Sequence, residues 1–255
     1  MRLIDTSNYE IREFPDTKLP RYAILSHTWG DEEVKFQDML PPRQASGRGY
    51  DKVKGACRLA LRNGFDFLWV DSCCIDKTSS SELSESINSM FQWYTNAAVC
   101  YAFIEDLAPN HSAEMRVSNC RWFTRGWTLQ ELLAPEIVEF YDADWNYRGT
   151  KQQFASAISD FTGIPSDTLR GHTSIFDSSV AARMSWAAHR ETTRVEDMAY
   201  CLLGIFNINM ALLYGEGSKA FWRLQKEIIQ NSNDLTIFAW DAPKDTSRPF
   251  LPLLA

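Results

Sequence analysis

The run Arg125-Gly126-Trp127-Thr128-Leu129-Gln130-Glu131-Leu132 sets an aromatic ring and a carboxylate four residues apart. On a helix, side chains at i and i+4 stack along one face, so Trp127 and Glu131 would make a ring-lined wall beside a single ionised acid. That chemistry suits a cationic, ring-bearing substrate. The same pair on an amphipathic helix is more commonly a core anchor and a solvated charge, and spacing alone leaves both readings open.

Other residues with chemical potential are less demanding of a function. Ser26 and His27 are adjacent, and neighbours on a strand project to opposite faces, so neither activates the other, although each can contact a ligand. Cys73 and Cys74 have no base close in sequence and read as buried thiols. Asp71 and Asp76 bracket that pair, where strand-end acids serve either ligands or loop caps. Gly215-Glu216-Gly217-Ser218-Lys219 lacks the spacing and residue order of a phosphate loop and reads as a turn before a helix. Arg194, Glu196 and Asp197 read as a cap and a surface pair. The histidines at 27, 111, 172 and 189 form no pair at helical ligand spacing, so no metal site is expected.

These residues need elements to position them, and the apolar pattern supplies four β-rich runs separated by helical segments. The strands are expected at Tyr22 to Leu25, Phe65 to Val70, Ala97 to Ile104 and Ile137 to Tyr141. Between them, helices are expected over Lys52 to Arg62, stopped by Gly64, over Ser81 to Asn96 behind a serine cluster, and over Arg125 to Leu133, cut off by Pro135. Such alternation argues for an α/β fold with a parallel sheet flanked by helices, whose ligands sit beyond the carboxyl ends of the strands. The loop Ser26-His27-Thr28-Trp29-Gly30-Asp31 and Asp71 both fall at such ends. After Tyr147 the pattern becomes mainly helical, with Gln152 to Phe161 as one helix. A second is opened by the capping box Thr193 to Glu196, with Val195, Met198, Ala199 and Leu202 inward, and a third runs from Lys219 to Gln230 behind Ser218. A late strand is expected at Leu235 to Trp240. The division that results is 1–150 for the α/β domain and 151–255 for a helical extension packed on it.

Bulk composition closes off several classes. The 255 residues are 45% hydrophobic, enough to bury a sizeable core without staples. With 26 basic and 33 acidic side chains the net charge is -7, and no Lys/Arg run is long enough to track a phosphate backbone, which excludes nucleic acid as the expected partner. Six cysteines without a C-x-x-C pair suit a reducing compartment, and no uncharged stretch approaches the roughly 18 to 20 residues of a spanning helix, so a cytoplasmic protein with no membrane contact is expected. The sequon Asn110-His111-Ser112 reads as chance, and the apolar run Phe250 to Ala255 suggests a fragment of a longer chain.

Three blocks in order carry a resemblance. Tyr22-Ala23-Ile24-Leu25-Ser26-His27-Thr28-Trp29-Gly30, then Leu68-Trp69-Val70-Asp71-Ser72-Cys73-Cys74-Ile75-Asp76, then Arg125-Gly126-Trp127-Thr128-Leu129-Gln130-Glu131 strongly resemble the fungal heterokaryon incompatibility (HET) domain. The stretches Glu196 to Tyr200 and Tyr214 to Gly217 look like the segment that follows this domain in many members. The resemblance implies a trigger of programmed cell death when genetically different hyphae fuse. It also implies, in the most similar subgroup, a nucleotide-binding switch module and a repeat array in the same full-length chain.

HET domains have been likened to TIR domains, which implies a TIR-like, flavodoxin-like core. Trp127-Thr128-Leu129-Gln130-Glu131-Leu132 resembles the Trp-Cys-x-x-Glu-Leu run of NAD-cleaving TIR enzymes, with Thr128 in place of the Cys. Tyr22 to Asp31 resembles the first TIR strand and loop more loosely. The likeness implies Glu131 as the catalytic carboxylate, with Ser26, His27, Trp29, Asp71 and Trp127 as substrate-binding candidates. NAD(+) is then the substrate, with no cofactor, and self-association through the domain turns the activity on. Cleaving a ribosyl pyridinium releases a neutral base, so one carboxylate suffices where ordinary glycosidases use two. The alternative is a non-enzymatic module that signals through homotypic or partner contacts.

Overall fold

The structure is a computed structural model that describes residues 1–42, 45–107 and 120–239. The sequon at 110–112, the end at 250–255 and Trp240 lie outside the described residues. The strands are β1 (Arg2–Asp5), β2 (Ile11–Glu13), β3 (Ala23–His27), β4 (Phe67–Val70), β5 (Val99–Phe103), β6 (Val138–Tyr141) and β7 (Tyr147–Thr150). They form one sheet in the order β2-β1-β4-β3-β5-β6-β7. Its centre is parallel: β3 pairs with β4 and β5, and β5 with β6. The edges are antiparallel, β1 on β4, β2 on β1 and β7 on β6. The four expected strands are therefore the parallel centre, with boundaries shifted by one or two residues. The edges escaped notice because they are short and do not alternate, and β7 carries Gly149 at φ 133° beside a register shift.

Helices connect the strands as continuous apolar strands require. Short α1 (Phe36–Met39) precedes α2 (Gly47–Arg62), which joins β3 to β4 and ends before Gly64 at φ 79°. α3 (Ser80–Asn96) joins β4 to β5, its N-cap Ser79 accepting from the Glu82 amide. α4 (Arg121–Thr124) and α5 (Thr128–Leu133) lie between β5 and β6. Right-handed crossovers put α2 on one face of the sheet and α3 with α5 on the other, and α3 and α5 touch. α6 (Ala155–Thr162), α7 (Ser166–Leu169), α8 (Val180–Ser185), α9 (Asp197–Tyr200) and α10 (Lys219–Asn231) follow, contributing Ile158, Leu169, Val180, Ala199 and Leu224 to the same buried cluster as the sheet.

Four sequence expectations are corrected. The helix expected from Arg125 begins at Thr128, because Arg125 bridges Glu191 in extended backbone and the Gly126 amide donates to the Glu191 carbonyl at 2.9 Å. A Cβ at Gly126 would meet Thr192 Cγ2 at 2.5 Å, so glycine permits that approach. The capping box at Thr193 does not form: the Glu196 carboxylate accepts instead from the Gly215 and Gly217 amides at 2.8 and 3.0 Å, and Val195 is exposed. Ser218 occupies the N-cap of α10 without a side-chain cap bond. The late strand is a 3-10 turn over Leu235–Phe238. Asp234 accepts from the Thr236 amide and curls the backbone, leaving Leu235 and Phe238 exposed and only Ile237 buried.

Candidate functional site

Two consecutive residues at the carboxyl end of β3 send their side chains to opposite faces, as the pleat demands. Ser26 points to the face covered by α3 and α5. Its hydroxyl donates to Glu131 Oε2 at 2.5 Å and accepts from the Trp122 indole N–H at 2.8 Å. Tyr94 of α3 completes the shell: its hydroxyl stands beside the Glu131 carboxyl and donates to the Leu25 carbonyl at 3.2 Å. Ser26 and Trp122 are fully buried and Glu131 is 7% exposed. Burial pushes the Glu131 carboxyl up to about 8, with the Asp71 charge adding to it against the opposing hydrogen bonds and the Arg190 charge.

The six-residue helix carrying Glu131 has Thr128 to Leu132 buried throughout, so its ends require internal partners. Two buried cations from later in the chain flank it, one pairing the last carbonyls and the other tying down the turn that enters the helix. At the start, Arg190 Nη1 donates to the Arg125 carbonyl and to Thr128 Oγ1, both at 2.9 Å. At the end, Lys151 Nζ donates to the Leu132 and Pro135 carbonyls at 3.2 and 2.6 Å. Burial lowers Arg190 to about 10 and Lys151 to about 8. Arg190 therefore sits near Glu131 as a charge while its hydrogen bonds go to neutral oxygens.

His27 points the other way, toward α2. Its Nε2 lies 3.1 Å from Asp71 Oδ1, and Nδ1, buried without a hydrogen-bond partner, faces Glu33 Oε1 at 3.7 Å. Asp71 Oδ2 accepts from the Trp29 indole N–H at 2.9 Å. The Lys77 ammonium lies 3.5 Å from the centre of the Trp29 ring and 3.8 Å from Asp71 Oδ2. Glu33 pairs with Lys52 of α2, and Arg121 donates to Thr28 Oγ1 and the Trp29 carbonyl at 3.1 Å each. Burial alone would raise the Asp71 carboxyl, yet Lys77, His27 and Trp29 together hold it down at about 2. Trp29 is 46% exposed, so this half of the strand end is open to solvent.

The residues singled out from sequence thus divide. Ser26 meets Glu131; His27 and Trp29 meet Asp71. Trp127 joins neither group: it is half-buried against the core and its indole bonds Asp197, so it shares no ring-and-acid wall with Glu131. Cys73 and Cys74 are buried, and the Cys74 contact and burial raise the Cys73 thiol well above its usual value. Glycines 215 and 217 have positive φ and turn their amides onto the Glu196 carboxylate, so an internal acid already occupies that loop. Among the described residues no His/Cys/Asp/Glu group is arranged to hold a metal. A surface depression of about 340 Å³ is lined by acidic Glu32, Glu33 and Asp38, and Glu131 takes no part in it. Trp122, Lys77, Lys151 and Arg190 reach the site from other elements and have no sequence signal of that role, and Tyr94 reads in the sequence only as part of the apolar face of its helix. Only the aromatic density at Trp122-Phe123 was visible as a signal.

Residues 22–116 match the family model described as heterokaryon incompatibility protein (HET). That span holds Ser26, His27, Trp29, Asp71 and Lys77, while Glu131 lies beyond it. The vegetative incompatibility protein HET-E-1 of Podospora anserina is 46% identical to the chain over 242 residues, 89% of this chain. The chain spans 18% of that relative's length. No solved structure matches.

Proposed function

This chain carries a heterokaryon incompatibility (HET) domain, and from that premise we propose that it is the cell-death effector portion of a vegetative incompatibility protein, acting as an NAD(+) glycohydrolase with Glu131 as its carboxylate. The observation that carries the reading is the Ser26–Glu131 contact at the carboxyl end of the central strand. The parallel strands β3, β4, β5 and β6 stand in the spatial order second, first, third, fourth. That order supports a TIR-like, flavodoxin-like core, whose switch point, where ligands bind, lies between β3 and β5. Glu131 reaches β3 there.

In the reaction, the bond from ribose C1′ to the nicotinamide ring nitrogen breaks and its electron pair neutralises the pyridinium. Water then adds its hydroxyl to C1′ and a proton leaves to solvent. Glu131 lowers the barrier by facing the positive charge that develops on the ribose, a role worth roughly 3 to 4 kcal/mol for one preorganised group. A dry carboxyl near 8 is largely neutral at pH 7; a bound pyridinium supplies the cation that ionises it. Ser26 orients it through Oε2. Because Glu131 is 7% exposed, substrate entry requires the α4–α5 cover to open, and we assign that opening to self-association of the domain. A nucleotide-binding switch module elsewhere in the full-length protein would drive the clustering.

One observation favours a second reading, a non-enzymatic signalling module: the same burial and the Ser26 hydrogen bond suit a structural glutamate. The two separate in hyphae that express either the native protein or Glu131→Gln, with both accumulating to equal levels. Loss of killing in the variant supports the enzyme; undiminished killing removes it.

A further inference from the structure

The open half of the strand end contains an aromatic ring and a carboxylate already locked together, with a cation of the chain's own resting on them. The Trp29 N–H donates to Asp71 Oδ2 at 2.9 Å, while His27 holds the other carboxylate oxygen at 3.1 Å. These bonds fix the ring face and the acid without any help from Lys77. Lys77 adds its ammonium at 3.5 Å over the ring and 3.8 Å from the acid. An indole face beside a carboxylate is the arrangement that recognises organic cations.

We propose that Trp29 and Asp71 form a binding site for the flat organic cation of a ligand, a pyridinium, and that Lys77 is an internal plug that fills it until the ligand displaces it. The choice of pyridinium rests on the NAD(+) reading above; the site itself rests on geometry. Lys77 suits a displaceable plug. Its ammonium is compact and strongly hydrated, so desolvation works against its charged form in this position. Its ion pair with Asp71 is long, at 3.8 Å, and its side chain is 31% exposed. A ring cation spreads its charge over a plane that stacks on the indole, giving more contact for less lost hydration. Lys77 lies on the loop between β4 and α3, so its side chain can swing out without moving the sheet.

The probe is 1-methylnicotinamide, methylated on the ring nitrogen, which carries the pyridinium but no ribose and therefore reports on the site without turnover. Binding to the full chain is followed on the probe's own ring-proton resonances, which serve every variant, and on the Trp29 indole N–H where that residue is present. Lys77→Met is expected to bind the probe at least tenfold more tightly than the native protein, Lys77→Gln to agree, and Trp29→Leu added to Lys77→Met to cancel the gain. Equal or weaker binding by the Lys77 variants, or a gain that survives loss of Trp29, overturns the proposal. In the native protein the Lys77 Cε protons, shifted upfield by the ring beneath them, should return to ordinary positions as the probe saturates; their staying put overturns it equally. A failure of NAD(+) cleavage with intact probe binding would count against the enzymatic reading alone, and the reverse pattern against the plug alone.

Discussion

The two sides of one strand end hold their acids in opposite ways. Ser26 delivers Glu131 to a dry, aromatic shell in which burial holds the carboxyl near 8. The next residue, His27, delivers Asp71 to a wet network of cations and donors that holds it near 2. Neighbouring positions on a strand thus place two acids in opposite protonation states, and environments that drive two titrating groups apart are how one site can divide its roles. Ionised Asp71 is suited to attracting and holding a cation. Neutral Glu131 is suited to acquiring charge only when a cation arrives.

The contrast can be broken first by removing what keeps Glu131 dry. Trp122 is fully buried, packs edge-on to Phe123 and Phe140 and donates to Ser26. Trp122→Ala should cost about 3 to 5 kcal/mol in denaturant unfolding and bring the Glu131 titration back toward the ordinary carboxylate range. A cost under about 1 kcal/mol would show that the shell is not well packed.

The second way is through pH. The folded protein holds the Glu131 proton up to about 8, against a reference of 4.5. Folded protein therefore binds more protons than unfolded protein between those values, and stability falls as pH rises through that window. Relative to Glu131→Gln, the native protein should lose on the order of 4 kcal/mol between pH 4.5 and 8. Parallel stability curves for the two proteins across that range would contradict the dry site.

A smaller effect tests how the helix is held. Lys151→Met leaves the Leu132 and Pro135 carbonyls unpaired at the end of α5, and unfolding should become easier by about 1 to 3 kcal/mol, with unchanged stability contradicting the anchoring role. Asp71→Asn is the mildest and carries the opposite sign. Asp71 is held below its reference of 3.8, so its contribution is present above about pH 4 and lost as pH falls toward 2, by no more than about 2 kcal/mol at this partly exposed position. If Asp71→Asn and Glu131→Gln gave stability profiles of the same slope, the contrast between the two sides would be wrong.

The parallel centre of the fold was legible in the sequence because strands covered on both faces appear as unbroken apolar runs ended by turn residues, as Phe67–Val70 and Val99–Phe103 do. The antiparallel edges were not, since three- and four-residue strands such as Ile11–Glu13 carry too little periodicity. At the site, the opposite directions of Ser26 and His27 followed from the pleat alone. Their partners did not, because Trp122, Lys151 and Arg190 arrive through tertiary packing that no local spacing encodes, and helical spacing marks Tyr94 as inward without naming what it meets. Trp127 marks the limit of helical spacing: it lies four residues before Glu131, but the Arg125–Glu191 bridge delays the helix and its indole turns to Asp197.

The most direct test is nicotinamide release from NAD(+) by concentrated native protein, measured beside Glu131→Gln at pH 7 and pH 8.5. The account predicts release by the native protein that increases toward the higher pH as the free carboxyl ionises, and a fall of at least about a hundredfold in the variant. Release that is equal in the two proteins, or absent from both while the native chain still kills, would contradict it.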